Sequence, residues 1–227
     1  MFQHEILKPC GVVRKETKAG RRYATPEGNI YPSVTTVLSQ IDKDSLNAWK
    51  EVVGQEEAKR IVRLAAARGT SLHSIVERHL LNQEIVLGRE LPSVSFLFTM
   101  LRKSLANINT VYGIEYPVYS DVLKAAGTVD LIAKYKGKNS IIDVKTARKL
   151  RIEDHILTYY YQVTAYALMV EEVAKLPIEQ VVILIVGEEH MEPQEFICSK
   201  EKYLSDVKKI FTQEATCKLV SEAKIQS

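Results

Sequence analysis

The spacing of apolar positions changes character near Asn109. Before it, apolar residues recur at helical intervals; after it, they alternate or run in short blocks bounded by turn residues. The stretch "PSVTTVLSQ" reads as a helix start, with Ser33 as N-cap and Thr36 at the N3 position. From Ser45 to about Leu81 the pattern is helical, with breaks expected near Val53–Gly54 and again around Gly69. A further amphipathic helix, "LPSVSFLFTMLRKSLANI", is entered through Pro92. The β-rich runs "VYGIEYPVYS", "GTVDLIAKY", "NSIIDVKT" and "QVVILIVG" follow, with a long helix from about Asp154 to Lys175 before the last. A short strand "QEFICS" and a helix from Lys202 to about Thr216 close the chain, and the first thirty residues read as one or two hairpins. This order predicts an α/β fold: a central mixed β-sheet flanked by helices, with an N-terminal β-hairpin and a helical region. Neither repeats nor linkers interrupt it, so one domain is expected over residues 1–227, divided into a hairpin and helical part (1–109) and a strand-rich core (110–227).

Within the stretch "AGTVDLIAKYKGKNSIIDVKT" the pattern conflicts with itself. Asp130, Asp143 and Lys145 sit inside otherwise apolar strands, where an isolated buried charge costs several kcal/mol or more. With "KGKN" as the turn, Lys136 faces Asn139, Asp130 lies opposite Lys145, and Ile132 lies opposite Asp143. Opposed residues share a face, as do residues two apart, so all three charged groups converge on one side. Val129, Ile142 and Val144 then point to the other. Two carboxylates so placed suit a hard divalent cation such as Mg²⁺, which keeps waters or phosphate oxygens in its remaining positions. The cation offsets their mutual repulsion, and Lys145 adds a positive charge for a phosphate or an attacking water.

Composition narrows the class without naming it. With 46% hydrophobic and 26% charged residues among 227, the chain matches an ordinary globular protein. Its longest apolar runs, such as "VVILIVG" from Val181, are too short to span a bilayer. The opening "MFQHEILKPC" has neither a signal-peptide core nor transit-peptide character, so a cytoplasmic setting is expected. Net charge is only +3, yet "RKETKAGRR" from Arg14 to Arg22 holds five basic groups and one acid. That run is either a solvated hairpin tip or a phosphate-gripping edge, with Arg21 and Arg22 as contacts. Cys10, Cys198 and Cys217 are widely spaced and odd in number, which argues against a disulfide framework and against an iron–sulfur cluster.

The motifs in their order resemble the PD-(D/E)xK nuclease superfamily, in its RecB-like exonuclease branch. "GTVD" ending at Asp130 matches the Gly-x-x-Asp, "DVK" from Asp143 the Asp-x-Lys, "QVTAY" from Gln162 to Tyr166 the Gln-x-x-x-Tyr, and "GTSLH" from Gly69 to His73 the upstream Gly-x-x-x-His. Within the branch the chain is most similar to the mitochondrial genome maintenance exonucleases and their phage relatives, through "YPSVTTVLSQ", Trp49, "RGTSLHSIVE" and "GKNSIIDVKTARK". With no mitochondrial presequence in view, a phage or bacterial protein is expected.

The resemblance implies a restriction-endonuclease-like core and a metal-dependent DNA exonuclease, with Mg²⁺ (or Mn²⁺) as cofactor and single-stranded DNA with a free end as substrate. Asp130, Asp143, the Val144 carbonyl and His73 are the implied metal ligands, His73 serving otherwise as a phosphate contact. Glu115 either assists a second cation or pairs with a lysine. Lys145 positions or deprotonates the attacking water. Gln162 and Tyr166, four apart on a helix, project from one face, the amide toward water or phosphate and the ring toward DNA. Relatives arch helices over the site; here the helices before Asn109 are the candidates, with Lys59, Arg60, Arg63 and Arg68 along the passage or merely solvated. Ser33 and Thr35 at a helix start either receive a phosphate or cap. Of Tyr159, Tyr160 and Tyr161, one or more pack in the core and another is free to stack on a base. Competing readings are a structure-selective endonuclease with the same chemistry, and a DNA-binding recombination scaffold that has lost it.

Overall fold

The turn between the two charged strands fixes their register. In the computed structural model, which describes residues 1–17, 20–41, 43–86 and 91–212, Lys136 and Gly137 have φ of +49° and +84°. Two consecutive positive φ values are what a two-residue hairpin turn of matching twist needs. Strand β6 (Ala125–Tyr135) and strand β7 (Lys138–Thr146) therefore close on Tyr135↔Lys138, and Ile132 faces Ile141. The expected closure, Lys136 facing Asn139 with Ile132 opposite Asp143, has the same length but sits one residue further along the chain, which moves every opposed partner by two. A slip of two keeps each side chain on its face, whereas a slip of one would have inverted them all.

Around this hairpin stand β1 (Gln3–His4), β5 (Ile108–Ser120), β8 (Gln180–Val186) and β9 (Gln194–Ser199) in the sheet order β1-β5-β6-β7-β8-β9. β1 pairs parallel with β5 and β7 parallel with β8; the other neighbours are antiparallel, so the sheet is mixed as expected. β8 is apolar from Val181 to Val186 because both its faces are covered. Val181, Ile183 and Ile185 join one core with α1 (Val34–Leu38), α5 (Leu157–Ala174) and α6 (Leu204–Thr212). Val182, Leu184 and Val186 join a second core with α3 (Gln55–Leu80) and α4 (Pro92–Leu105). β2 (Val13–Thr17), β3 (Gly20–Ala24) and β4 (Ile30–Pro32) form a separate three-stranded sheet. Tyr23 and Tyr31 anchor it on Ala126 of β6.

Helix boundaries follow local chemistry. Ser33 caps α1 by accepting from the Thr36 amide at 3.0 Å. Pro92 opens α4 at its first turn, where no amide hydrogen is needed. α2 (Lys43–Val53) ends before Gly54, whose φ of +89° turns the chain. The second expected break is absent: α3 runs through Gly69, where a Cβ would meet nothing within 4 Å, so the glycine is not the site of a close crossing. Its buried residues, apart from Ala58, begin at Leu72, so its first half stands away from the body. The last helix is described to Thr212; its expected extension to Thr216, and Cys217, lie outside the described residues.

One expectation about the faces is corrected. Ile142 and Val144 lie on the α3–α4 side, but Val129 lies on the α5 side. Val129 and Leu131 are two apart yet face opposite ways, so strict alternation fails at Asp130. In β5 across from this break, Glu115 has a left-handed φ of +46°. A non-glycine residue so placed in mid-strand costs of order 1–3 kcal/mol and is found where surrounding structure demands it.

Candidate active site

The β6–β7 ladder stops at Leu131↔Ile142, and the next amide needs another acceptor. Asp130 supplies it: its Oδ2 accepts from the Val144 N–H at 3.1 Å. A carboxylate thereby takes the place of a backbone carbonyl and is fixed beside the Val144 carbonyl. That carbonyl lies 2.8 Å from Nε2 of His73 on α3. His73 Nδ1 lies 3.6 Å from Glu115 Oε1 and 3.7 Å from Asp130 Oδ2. His73, Glu115 and Asp130 each offer a ligand atom, all within 4.8 Å of one another. The kink at Glu115 explains its presence there, since a regular strand would turn its side chain elsewhere.

Asp143 belongs to the same end of the sheet but is only 2% exposed. Its Oδ1 accepts from Lys145 Nζ at 2.7 Å and from Gln162 Nε2, on α5, at 2.9 Å. Its Oδ2 is buried without a partner. An unsatisfied buried carboxylate oxygen is costly, and a hard cation coordinated by oxygen is one group that relieves it. The Lys145 ammonium also lies 5.3 Å over the Tyr159 ring, which assigns that tyrosine to orienting the lysine. Tyr160 is buried in the core, stacked on Tyr203 at 4.7 Å.

Charge in this site is coupled. Burial pushes the Asp143 carboxyl up, and the neighbouring Asp130 charge adds to that, against the pull of Lys145 and His73. Burial works against the charged His73 ring, but Glu115, Asp130 and the Val144 carbonyl outweigh it and hold the imidazole up at about 9. Lys145 is likewise held above its ordinary value by Asp143 and Asp130, despite the burial that opposes its charge. Without a metal, the site is thus a set of acids countered by one imidazolium and one ammonium. A divalent cation can replace that imidazolium proton as the counter-charge, since a ligating histidine must be neutral.

A cavity of about 570 Å³ opens over these groups, its floor made by His73, Glu115, Asp130, Lys145, Gln162 and Tyr166. Its other walls include Arg14, Arg21 and Thr35. The sequence-predicted site residues therefore divide. His73, Glu115, Asp130, Asp143, Val144, Lys145, Gln162 and Tyr166 are gathered, and Arg21 and Thr35 line the opening. Tyr166 is buried, its ring pressed toward Gly127, where a Cβ would come within 2.6 Å of Cε1; its place is under the site and not on an open surface. The glycine of the first motif is thus needed by the tyrosine of the last.

The remaining candidates stand apart. Arg22, expected at a phosphate-gripping edge, is 4% exposed, because alternation in β3 turns it to the face opposite Arg21. Ser33 is buried and its hydroxyl is spent on the cap. Arg68 pairs with Glu188 at 3.5 Å. Lys59 and Arg63 are exposed on the outer half of α3, Lys59 paired with Glu56 at 2.7 Å, and Arg60 is paired with Glu57 at the same distance. Arg14 is the cavity residue that sequence reading left inside a charge run; counting by twos across the hairpin from Arg21 would have found it.

The PD-(D/E)XK nuclease superfamily profile matches residues 44–224 of this chain. The chain is 28% identical over 165 residues to mitochondrial genome maintenance exonuclease 1 of Mus musculus, an alignment covering 65% of this chain and 48% of that protein. It is 29% identical over 130 residues to the Homo sapiens protein of the same name, covering 53% of this chain and 38% of that one. The chain thus spans about half or less of the length of these relatives. A solved crystal structure, that of SSO0001, aligns with a TM-score of 0.40 at 13% identity, covering 78% of this chain and 71% of that one. The profile covers "GTSLH", "GTVD", "DVK" and "QVTAY", whose side chains meet at one end of a mixed sheet, and the chain belongs to the PD-(D/E)XK nuclease superfamily.

Proposed function

We propose that this chain is a metal-dependent deoxyribonuclease that hydrolyses phosphodiester bonds from a free end of single-stranded DNA. The observation that carries the reading is the cluster of His73, Glu115 and Asp130, whose ligand atoms lie within 4.8 Å of one another beside the Val144 residue that Asp130 and His73 both contact, with the orphaned Oδ2 of buried Asp143 one residue away in β7. That set of oxygen donors plus one imidazole fits Mg²⁺ or Mn²⁺. A bound cation supplies Lewis acidity toward a phosphoryl oxygen and a more acidic water. The side chains do the rest. Gln162 and Lys145 hold the Asp143 carboxylate in one orientation, and Lys145, on the cavity floor, is placed to donate to a phosphate oxygen or steady an attacking water. Action at free ends is supported by the name of the relatives, exonuclease. An unpaired strand is supported by the outer half of α3, where exposed Ile61, Val62 and Leu64 lie among Lys59, Arg60 and Arg63 and offer apolar surface to bases beside cations for phosphates.

End-labelled single- and double-stranded oligonucleotides, blocked at either end, are to be digested with Mg²⁺ beside a covalently closed single-stranded circle. The expected result is loss of unblocked single strands and an intact circle. A cut circle would transfer the reading to an endonuclease. No cleavage of any DNA in Mg²⁺ or Mn²⁺ would favour the scaffold.

A further inference from the structure

The β2–β3 hairpin brings a second charged constellation to the cavity, and its residues fall outside the 44–224 stretch matched by the superfamily profile. Pairing places Glu16 opposite Arg21 and Arg14 opposite Tyr23, so these four side chains share one face. Tyr23 is fully buried, and its hydroxyl lies 3.2 Å from Thr128 Oγ1, two residues before Asp130. That contact ties the charged face of the hairpin to the strand carrying the acids. Arg14 and Arg21 both line the cavity that His73, Asp130 and Lys145 floor.

Between the two arginines stands Glu16. Its Oε1 accepts from Arg14 through Nε at 2.9 Å and through Nη2, and lies 3.9 Å from Arg21 Nε. One anionic oxygen is addressed by two guanidinium groups, which is how such groups meet a phosphate oxygen. All three side chains are open to solvent, at 52% for Arg14, 43% for Arg21 and 64% for Glu16. An ion pair that exposed contributes little, so exchanging its anion costs little.

We propose that Arg14 and Arg21 form a clamp for one backbone phosphate of the DNA strand, and that the Glu16 carboxylate holds the clamp in the free protein until that phosphate displaces it. The proposal rests on the nuclease reading and adds to it the residues that seat the strand beside the acids. Lys15 faces the other way and Arg22 is buried, so neither substitutes for the pair.

The test is binding of a fluorescently labelled single-stranded oligonucleotide, with Ca²⁺ in place of Mg²⁺, across a salt series. Glu16→Gln frees the arginines and tightens binding about two- to fivefold, the worth of an exposed ion pair. Glu192→Gln, the same charge change at an exposed site paired with Lys103, leaves affinity as in the wild type. Arg14→Ala with Arg21→Ala weakens binding and lowers the slope of log K against log salt by about 0.7, one phosphate on a single strand. A Glu16→Gln protein that binds no tighter than Glu192→Gln, or a double variant with the wild-type slope, overturns the clamp while wild-type cleavage leaves the nuclease reading standing. Wild-type protein that binds no DNA overturns both.

Discussion

Asp143 is a carboxylate at 2% exposure with one oxygen lacking a partner, an arrangement that folding alone does not favour. If a cation completes it, the cation is also a stabiliser of the folded state. Thermal unfolding should therefore move up with Mg²⁺ or Mn²⁺, by roughly 5–10 °C at a hundredfold excess over the dissociation constant. Asp143→Asn should lose most of that shift; a shift of wild-type size in the variant would remove Asp143 from the metal site. Gly127 and Tyr166 offer a second check, because a Cβ on Gly127 would lie 2.6 Å from Cε1 and 2.7 Å from the hydroxyl of Tyr166. Gly127→Ala should cost about 1–3 kcal/mol by urea unfolding. Combined with Tyr166→Ala the costs should fall short of their sum, and strict additivity would deny the contact. At this scale the strand pattern singled out Asp130, Asp143 and Lys145, because charges inside apolar strands need a reason, while Gln162 and His73 were legible only through the family resemblance. Sequence reading misjudged Arg22 and passed over Arg14, because a charge run hides which members alternate inward. The kink at Glu115 carried no local signal, since a left-handed glutamate is imposed by its surroundings.

Among the elements, α3 has two unlike halves. From Leu72 onward its apolar face is buried on α4 and the sheet, while residues before that expose Ile61, Val62 and Leu64. Helical hydrogen bonds without packing open readily, so amide hydrogen exchange should strip protection from residues 55–67 well before residues 72–80. Equal protection in both halves would mean that the outer half packs on something. The β6–β7 turn makes a separate prediction: Gly137 has φ of +84°, and Gly137→Ala should cost about 1 kcal/mol in thermal or urea unfolding without changing the site. Elements were the most legible level. Ser33, Pro92 and Gly54 mark boundaries through local chemistry, and the alternation of β7 marks a strand. The turn sits one residue earlier than "KGKN" suggests, because "YKGK" offers a closure of the same length, and it is Lys136 and Gly137 that take the two positive φ values. Gly69 looks like a break in the sequence because glycine is a poor helix former, yet that cost of about 1 kcal/mol is outweighed by the rest of a 26-residue helix.

At the scale of the molecule, a sheet covered on both faces holds the acids at one end, where a strand ladder gives out and side chains replace backbone partners. That end is closed from one side by α3, from the other by α5, and from above by the N-terminal hairpin. A mixed sheet was foreseeable from the succession of strands and helices; the hairpin's place over the cavity was not, since it depends on Tyr23 reaching Thr128 across 105 residues. Superfamily membership and this closure together frame the central claim, that Asp130, Asp143 and Lys145 act as one hydrolytic unit on DNA. The most direct measurement compares wild type and Asp143→Ala on a labelled single strand, scoring cleavage in Mg²⁺ and binding in Ca²⁺. The account predicts that the variant loses cleavage and keeps most of its binding. Cleavage at the wild-type rate by Asp143→Ala would contradict it.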